Sequence, residues 1–103
     1  MRYEIVLAPE AIADLRSFKA SVRAAVEDAI ERHLRHEPTK TSKSRIKRLR
    51  GFSHPQYRMR VDEVRVFYDL TEDTVEVLAI VSKSAAEAWL LNAGEPEEST
   101  DES

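Results

Sequence analysis

The sequence predicts an α+β domain in which a strand and a helical hairpin pack on a mainly antiparallel, twisted sheet, closed by a short C-terminal helix. Three observations predict it. Val22, Val26, Ile30 and Leu34 recur every four residues, the spacing of one helical face. Tyr57-Arg58-Met59-Arg60-Val61 alternates apolar and basic residues, the period of a strand with two unlike faces. Val75 to Val81 is an almost unbroken apolar run of strand length, as expected of a strand covered on both sides.

The elements follow in order. Arg2 to Leu7 reads as a first strand, and Pro9 suits the first turn of a helix. Ile12, Leu15 and Phe18 are spaced for the buried face of that helix. A second helix is expected from about Ser21 to His36, ended by Pro38. The short link between the two predicts an antiparallel helical hairpin. After a polar segment, Thr39 to Ser44, Arg45 to Leu49 reads as a short strand, and Gly51 to Pro55 as a break. Strands are then expected at Gln56 to Val61, Val64 to Leu70 and Thr74 to Val81. Asp62-Glu63 lacks the glycine of a tight two-residue turn, which predicts a looser or bulged connection. Ser82 or Ser84 is placed to cap a final helix ending near Leu91. The helices are expected on one face of the sheet and the basic residues on the other. Residues 1–91 form the expected domain; 92–103 read as an acidic, disordered tail.

Charge is unevenly spread. The 103 residues carry a net charge of -3, yet Lys40 to Arg65 holds nine basic residues against two acids. Five of the nineteen acids lie in the last nine residues, so residues 1–94 balance at +2. A cationic stretch on a mildly basic body is the electrostatic footprint of a phosphate-binding surface. The tail's opposite charge suggests a segment able to fold over that surface and imitate phosphate. Cysteine is absent, which excludes disulfides and thiolate metal sites. The three histidines lack a metal-ligand spacing. No Gly-rich phosphate loop, no Gly-x-Ser-x-Gly nucleophile motif and no membrane-length apolar run is found. A cytoplasmic protein without membrane association is the expectation.

The candidate chemistry follows from residue type. Arg58, Arg60 and Arg65 can clamp phosphate, because a planar guanidinium matches two phosphate oxygens at once. Lys83 is a further candidate cation, and His54 a candidate acid or base near Arg58. Glu63 is an alternative base. Lys43, Arg45, Lys47, Arg48 and Arg50 read as an RNA-docking arm.

The ordered set Arg48-Leu49-Arg50-Gly51, Tyr57-Arg58-Met59-Arg60-Val61 and Val64-Arg65-Val66-Phe67-Tyr68 resembles the RelE/ParE superfamily of bacterial toxins. The opening strand, Pro9 and the Ala-rich helix start also fit, and the likeness spans about residues 1–91. The resemblance implies a compact RelE-like fold and a cognate antitoxin partner, for which a groove beside the first two helices is the expected seat. It implies one of two activities: a ribosome-dependent endonuclease that cuts mRNA while docked on ribosomal RNA, or a ParE-like inhibitor of DNA gyrase. The ribonuclease is the favoured reading; it implies attack of a ribose 2′-hydroxyl on the adjacent phosphate, which needs cations, a base and an acid, and no metal or cofactor. A decayed toxin that only holds its antitoxin is the remaining alternative. The C-terminal segment departs from the RelE pattern: Trp89 stands near the position of a Tyr, and an indole has no ionisable proton. Trp89 is expected to pack the last helix onto the body.

Overall fold

Alternation along two neighbouring segments sets the sheet. The computed structural model describes residues 1–97. In it β4 (Tyr57–Val61) and β5 (Val64–Leu70) form an antiparallel hairpin, with Val61 opposite Val64 and Tyr57 opposite Tyr68. This register turns Tyr57, Met59, Val61, Val64, Val66 and Tyr68 to one face and Arg58, Arg60, Arg65 and Phe67 to the other. β6 (Thr74–Ser82) pairs antiparallel with β5, β1 (Glu4–Leu7) pairs parallel with β6, and β2 (Ile46–Arg48) pairs antiparallel with β4. The order is β1-β6-β5-β4-β2, so β5 is central and the long apolar β6 is interior.

Two helices cover the apolar face. α1 (Pro9–Ser17) brings Ala11 and Leu15, and α2 (Ala20–Ala29) brings Val26. α2 continues as a π-helical turn, Ile30–Leu34. A strict four-residue repeat drifts around a helix of 3.6 residues per turn, and a wider turn returns Leu34 to the sheet, where it is fully buried. These side chains meet Ile46, Met59, Val64, Val66, Tyr68, Val75, Val77 and Ile80 in one core. The buried Tyr68 hydroxyl donates to the Pro38 carbonyl at 2.6 Å, and burial, with Tyr57 beside it, holds that phenol protonated far into the alkaline range.

Several expectations need correction. Ile12 is exposed, and Ala11 takes the inward position, because α1 packs against β6 with its Ala11–Leu15 edge. Gly51–Pro55 is not a plain break: β3 (Phe52–His54) lies there and pairs with β7 (Glu95–Pro96). The Asp62-Glu63 connection is tight, because Asp62 itself takes the left-handed backbone, φ 52°. α3 (Lys83–Ala93) starts after Ser82, whose hydroxyl makes no capping bond. It runs past Leu91, and Glu97 N–H then donates to the Gly51 carbonyl, so residues 92–97 carry structure. The rest of the expected tail lies outside the described residues. Among the described residues no helix is long and apolar enough to cross a membrane.

α1 also closes a sheet edge. β1 stops at Leu7, and Ala8 N–H donates to the Val77 carbonyl. Beyond that point the Ile80 N–H of β6 is taken by Asp14 Oδ2 at 2.9 Å. Desolvation raises the Asp14 pKa, the Ile80 bond opposes that rise, and the charge of Glu10 adds to it.

Two outcomes test this construction. Asp62→Gly should leave thermal stability within a few tenths of a kcal/mol, whereas Asp62→Ile should cost about 1–2 kcal/mol in denaturant unfolding, because only the second forces a β-branched residue into positive φ. For Asp14, a raised folded-state pKa means that the folded form holds the proton more tightly than the unfolded one. Its contribution to stability therefore falls as pH rises from the unfolded pKa through the folded one. Asp14→Asn should remove that decline while keeping the acceptor; Asp14→Ala should cost about 1–3 kcal/mol by orphaning the Ile80 N–H.

Candidate functional site

The face of the sheet opposite the two helices carries the cations. Arg58 lies directly across from Phe67 on β5 and from Lys47 on β2, and Arg60 lies across from Arg65. Arg60 N–H also donates to the Arg45 carbonyl, which brings the end of the basic arm alongside. This face also bears a helix. α3 crosses it, and Trp89 stacks on Phe67 with ring centroids 4.8 Å apart. The indole N–H donates to Glu10 Oε2 at 2.8 Å, which pins α3 to the start of α1. Trp89 thus packs the last helix onto the body, as its apolar ring predicted.

Arg58 is the electrostatic centre. It is half-buried, and its Nε is buried with no hydrogen-bond partner. Among the described residues it forms no ion pair. Burial, then the charges of Arg65 and Arg60, push its pKa below the ordinary arginine range. A guanidinium held beside two like charges with an unused donor is prepared for an anion with several oxygens.

Arg65 differs from expectation. It is only 7% exposed, and its Nη1 donates to the carbonyls of Asp62 and Val64. Those bonds tie it to the tight turn, so it supplies field and shape beneath Arg60 more than a free fork. Arg60 is exposed.

The other candidates distribute around this centre. Lys47 shares the Arg58 face by register, whereas Arg48 points to the other face, its guanidinium 5.3 Å from the Tyr57 ring centroid and bonded to the Gln56 carbonyl. Lys43 and Arg50 are exposed in the connections that flank β2. Lys83 is the first residue of α3, and its N–H donates to the Glu63 carbonyl, which sets it at the turn end near Arg65. Glu63 lies in that turn.

His54 stands at the opposite end, at the close of β3. Its Nδ1 is 2.7 Å from Asp69 Oδ2. The other Asp69 oxygen accepts the Gln56 N–H at 2.8 Å, and Gln56 Oε1 accepts the Leu70 N–H. Sequence reasoning missed Asp69. Its only signal was parity: a lone acid two residues after Phe67, at the sheet-face position shared with Arg65. Among the described residues no cluster of His, Asp and Glu side chains is arranged to hold a metal.

Comparison with known proteins agrees with this geometry. The family described as "ParE toxin of type II toxin-antitoxin system, parDE" matches residues 5–86. The chain belongs to the ParE toxin family. No curated protein sequence matches it. Among solved structures, this ParE-family toxin resembles the Mycobacterium tuberculosis toxin–antitoxin complex RelBE2, with a TM-score of 0.70 and 23% identity over 80% of this chain and 99% of that one. The archaeal RelE–RelB complex of Pyrococcus horikoshii gives 0.66 and 20%, over 81% of this chain and 97% of the other. An Escherichia coli RelE mutant in the free state gives 0.66 and 18%, over 86% and 92%. The fold is therefore RelE-like, α+β with a C-terminal helix.

The unpaired Arg58 charge makes a test possible without knowing the target. Arg58→Met should raise stability by about 1 kcal/mol, or about 4–8 °C in melting temperature, since a half-buried unpaired cation gives way to a neutral chain of similar reach. Inorganic phosphate should raise the melting temperature of the wild type and do so much less for the variant.

Proposed function

We propose that this toxin is a metal-independent, ribosome-dependent mRNA endonuclease that inhibits translation. The observation that carries the reading is Arg58: a half-buried guanidinium with an unpartnered Nε, between Lys47 and Phe67, beside Arg60 and Arg65. A phosphate seated there gains charge and hydrogen bonds together. As a 2′-oxygen attacks, negative charge grows on the equatorial phosphate oxygens, where donors already fixed in place stabilise it. Arg60 and Lys47 extend the contact to neighbouring phosphates, and Arg45, Lys43 and Arg50 engage ribosomal RNA through its backbone. Arg48, turned to the other face, supports Tyr57.

A cognate antitoxin is the protein partner in this reading. The M. tuberculosis and P. horikoshii neighbours are toxin–antitoxin complexes. An apolar groove beside α2, lined by Val22, Ala25, Val26, Val61 and Val64, suits an amphipathic antitoxin segment.

The second reading, inhibition of DNA gyrase, is favoured by the ParE-family match over residues 5–86 and by two features of the face. Arg65 is closed off by backbone carbonyls, and Trp89, with no ionisable proton, stands on Phe67 in the middle of the face.

Translation extract primed with a defined mRNA separates them. Wild-type toxin is expected to cut the message only when ribosomes are present, and Arg58→Ala to cut about 10²–10³ times more slowly. Intact message together with blocked gyrase supercoiling would select the second reading.

A further inference from the structure

We propose that His54 is the general base of the cleavage, with Asp69 as its positioning residue. The inference rests on the ribonuclease reading above and deepens it. Asp69 is 8% exposed and lies on the central strand, while the His54 side chain is 49% exposed at the edge of the same face. A buried carboxylate bound to Nδ1 selects the imidazole tautomer that carries its proton on Nδ1. The Nε2 lone pair is then the basic position. Asp69 is itself fixed, because its second oxygen is held by the Gln56 N–H. The acceptor is therefore locked on the strand before any substrate arrives.

Register places this pair beside the phosphate site. Arg58 faces Phe67, and Asp69 is two residues further along β5 on the same face. Diagonal neighbours of that kind lie about 7–8 Å apart between Cα atoms, the scale of one nucleotide. The Phe67–Trp89 stack stands between Asp69 and Arg65, and so walls the site on the side away from His54. Glu95 on β7 is the charged group facing His54 across the β3–β7 pair, and Ser53 holds its carbonyl. Glu95 is exposed, in contrast to the buried Asp69.

His54 Nε2 takes the 2′-hydroxyl proton as the 2′-oxygen bonds to phosphorus. The bond from phosphorus to the 5′-oxygen breaks, and that oxygen takes a proton from water. The products are a 2′,3′-cyclic phosphate and a 5′-hydroxyl. His54 returns its proton to solvent, and no oxidant or metal takes part.

The experiment measures cleavage of a defined mRNA on purified ribosomes across about pH 5.5 to 8.5, the range in which histidine titrates. His54→Ala is expected to cut about 10²–10³ times more slowly, and added imidazole to restore part of the rate. Asp69→Asn keeps an acceptor for the Gln56 N–H yet no longer selects the tautomer; it is expected to slow cleavage at least about tenfold and to shift the acid limb of the pH profile. Circular dichroism and ribosome binding of both variants should match the wild type. A His54→Ala enzyme within about threefold of wild type overturns the proposal and leaves the ribonuclease reading standing, as does a slowed variant that imidazole does not rescue and whose Asp69→Asn counterpart keeps the wild-type pH profile. A wild type that leaves the message intact overturns both.

Discussion

The register of the β4–β5 hairpin is the constraint on which the rest depends. Val61 faces Val64, and every side chain on the two strands takes its face from that pairing. A slip of one residue would send Arg58 and Arg60 into the core and Met59 to the surface. The two-residue turn that sets the register needs positive φ at Asp62, and the Asp62 carbonyl is in turn held by Arg65. The same arginine that contributes charge to the face thus braces the turn that creates the face.

Crowding cations that have no ion-pair partner among the described residues works against stability, and the fold absorbs that in its apolar half. Tyr68, Met59, Val66, Val77 and Leu34 are fully buried beneath the sheet, and the α2 stripe packs over them. A rigid, dry layer on one side lets Arg58 remain half-buried and unpaired on the other. The energetic asymmetry between faces is what a phosphate ligand would relieve. A surface already neutralised by carboxylates would have little to gain from one.

Asp69 joins two regions that are far apart in sequence. Through Gln56 and His54 it ties the β3–β4 connection to the central strand. β3 then pairs with β7, which follows α3, and α3 reaches back across the sheet through Trp89 to Glu10. The C-terminal segment therefore walls the cationic face on one side and secures the histidine end of it on another. An indole stacked on Phe67 is suited to this wall role by area and flatness, without any proton chemistry.

Much of this was determined by the sequence itself, because period and charge are local properties. The alternation at 57–61 and 64–70 specified strands and assigned Arg58 and Arg60 to a single face, and the four-residue repeat in α2 specified its buried stripe. The RelE/ParE likeness was legible for the same reason: its motifs are those alternating segments. What only the tertiary structure decided were contacts between distant residues and the burial that follows. Parity showed Arg65 on the basic face, but its burial depends on its carbonyl acceptors and on the strands around it. Phe52–His54 became a strand only because Glu95–Pro96 came beside it, and two short segments with no apolar pattern announce no pairing. Asp69 and His54 are fifteen residues apart, and nothing local distinguishes that pair from any other acid and histidine. Their meeting is set by strand order, which follows from how the whole chain hides its apolar surface.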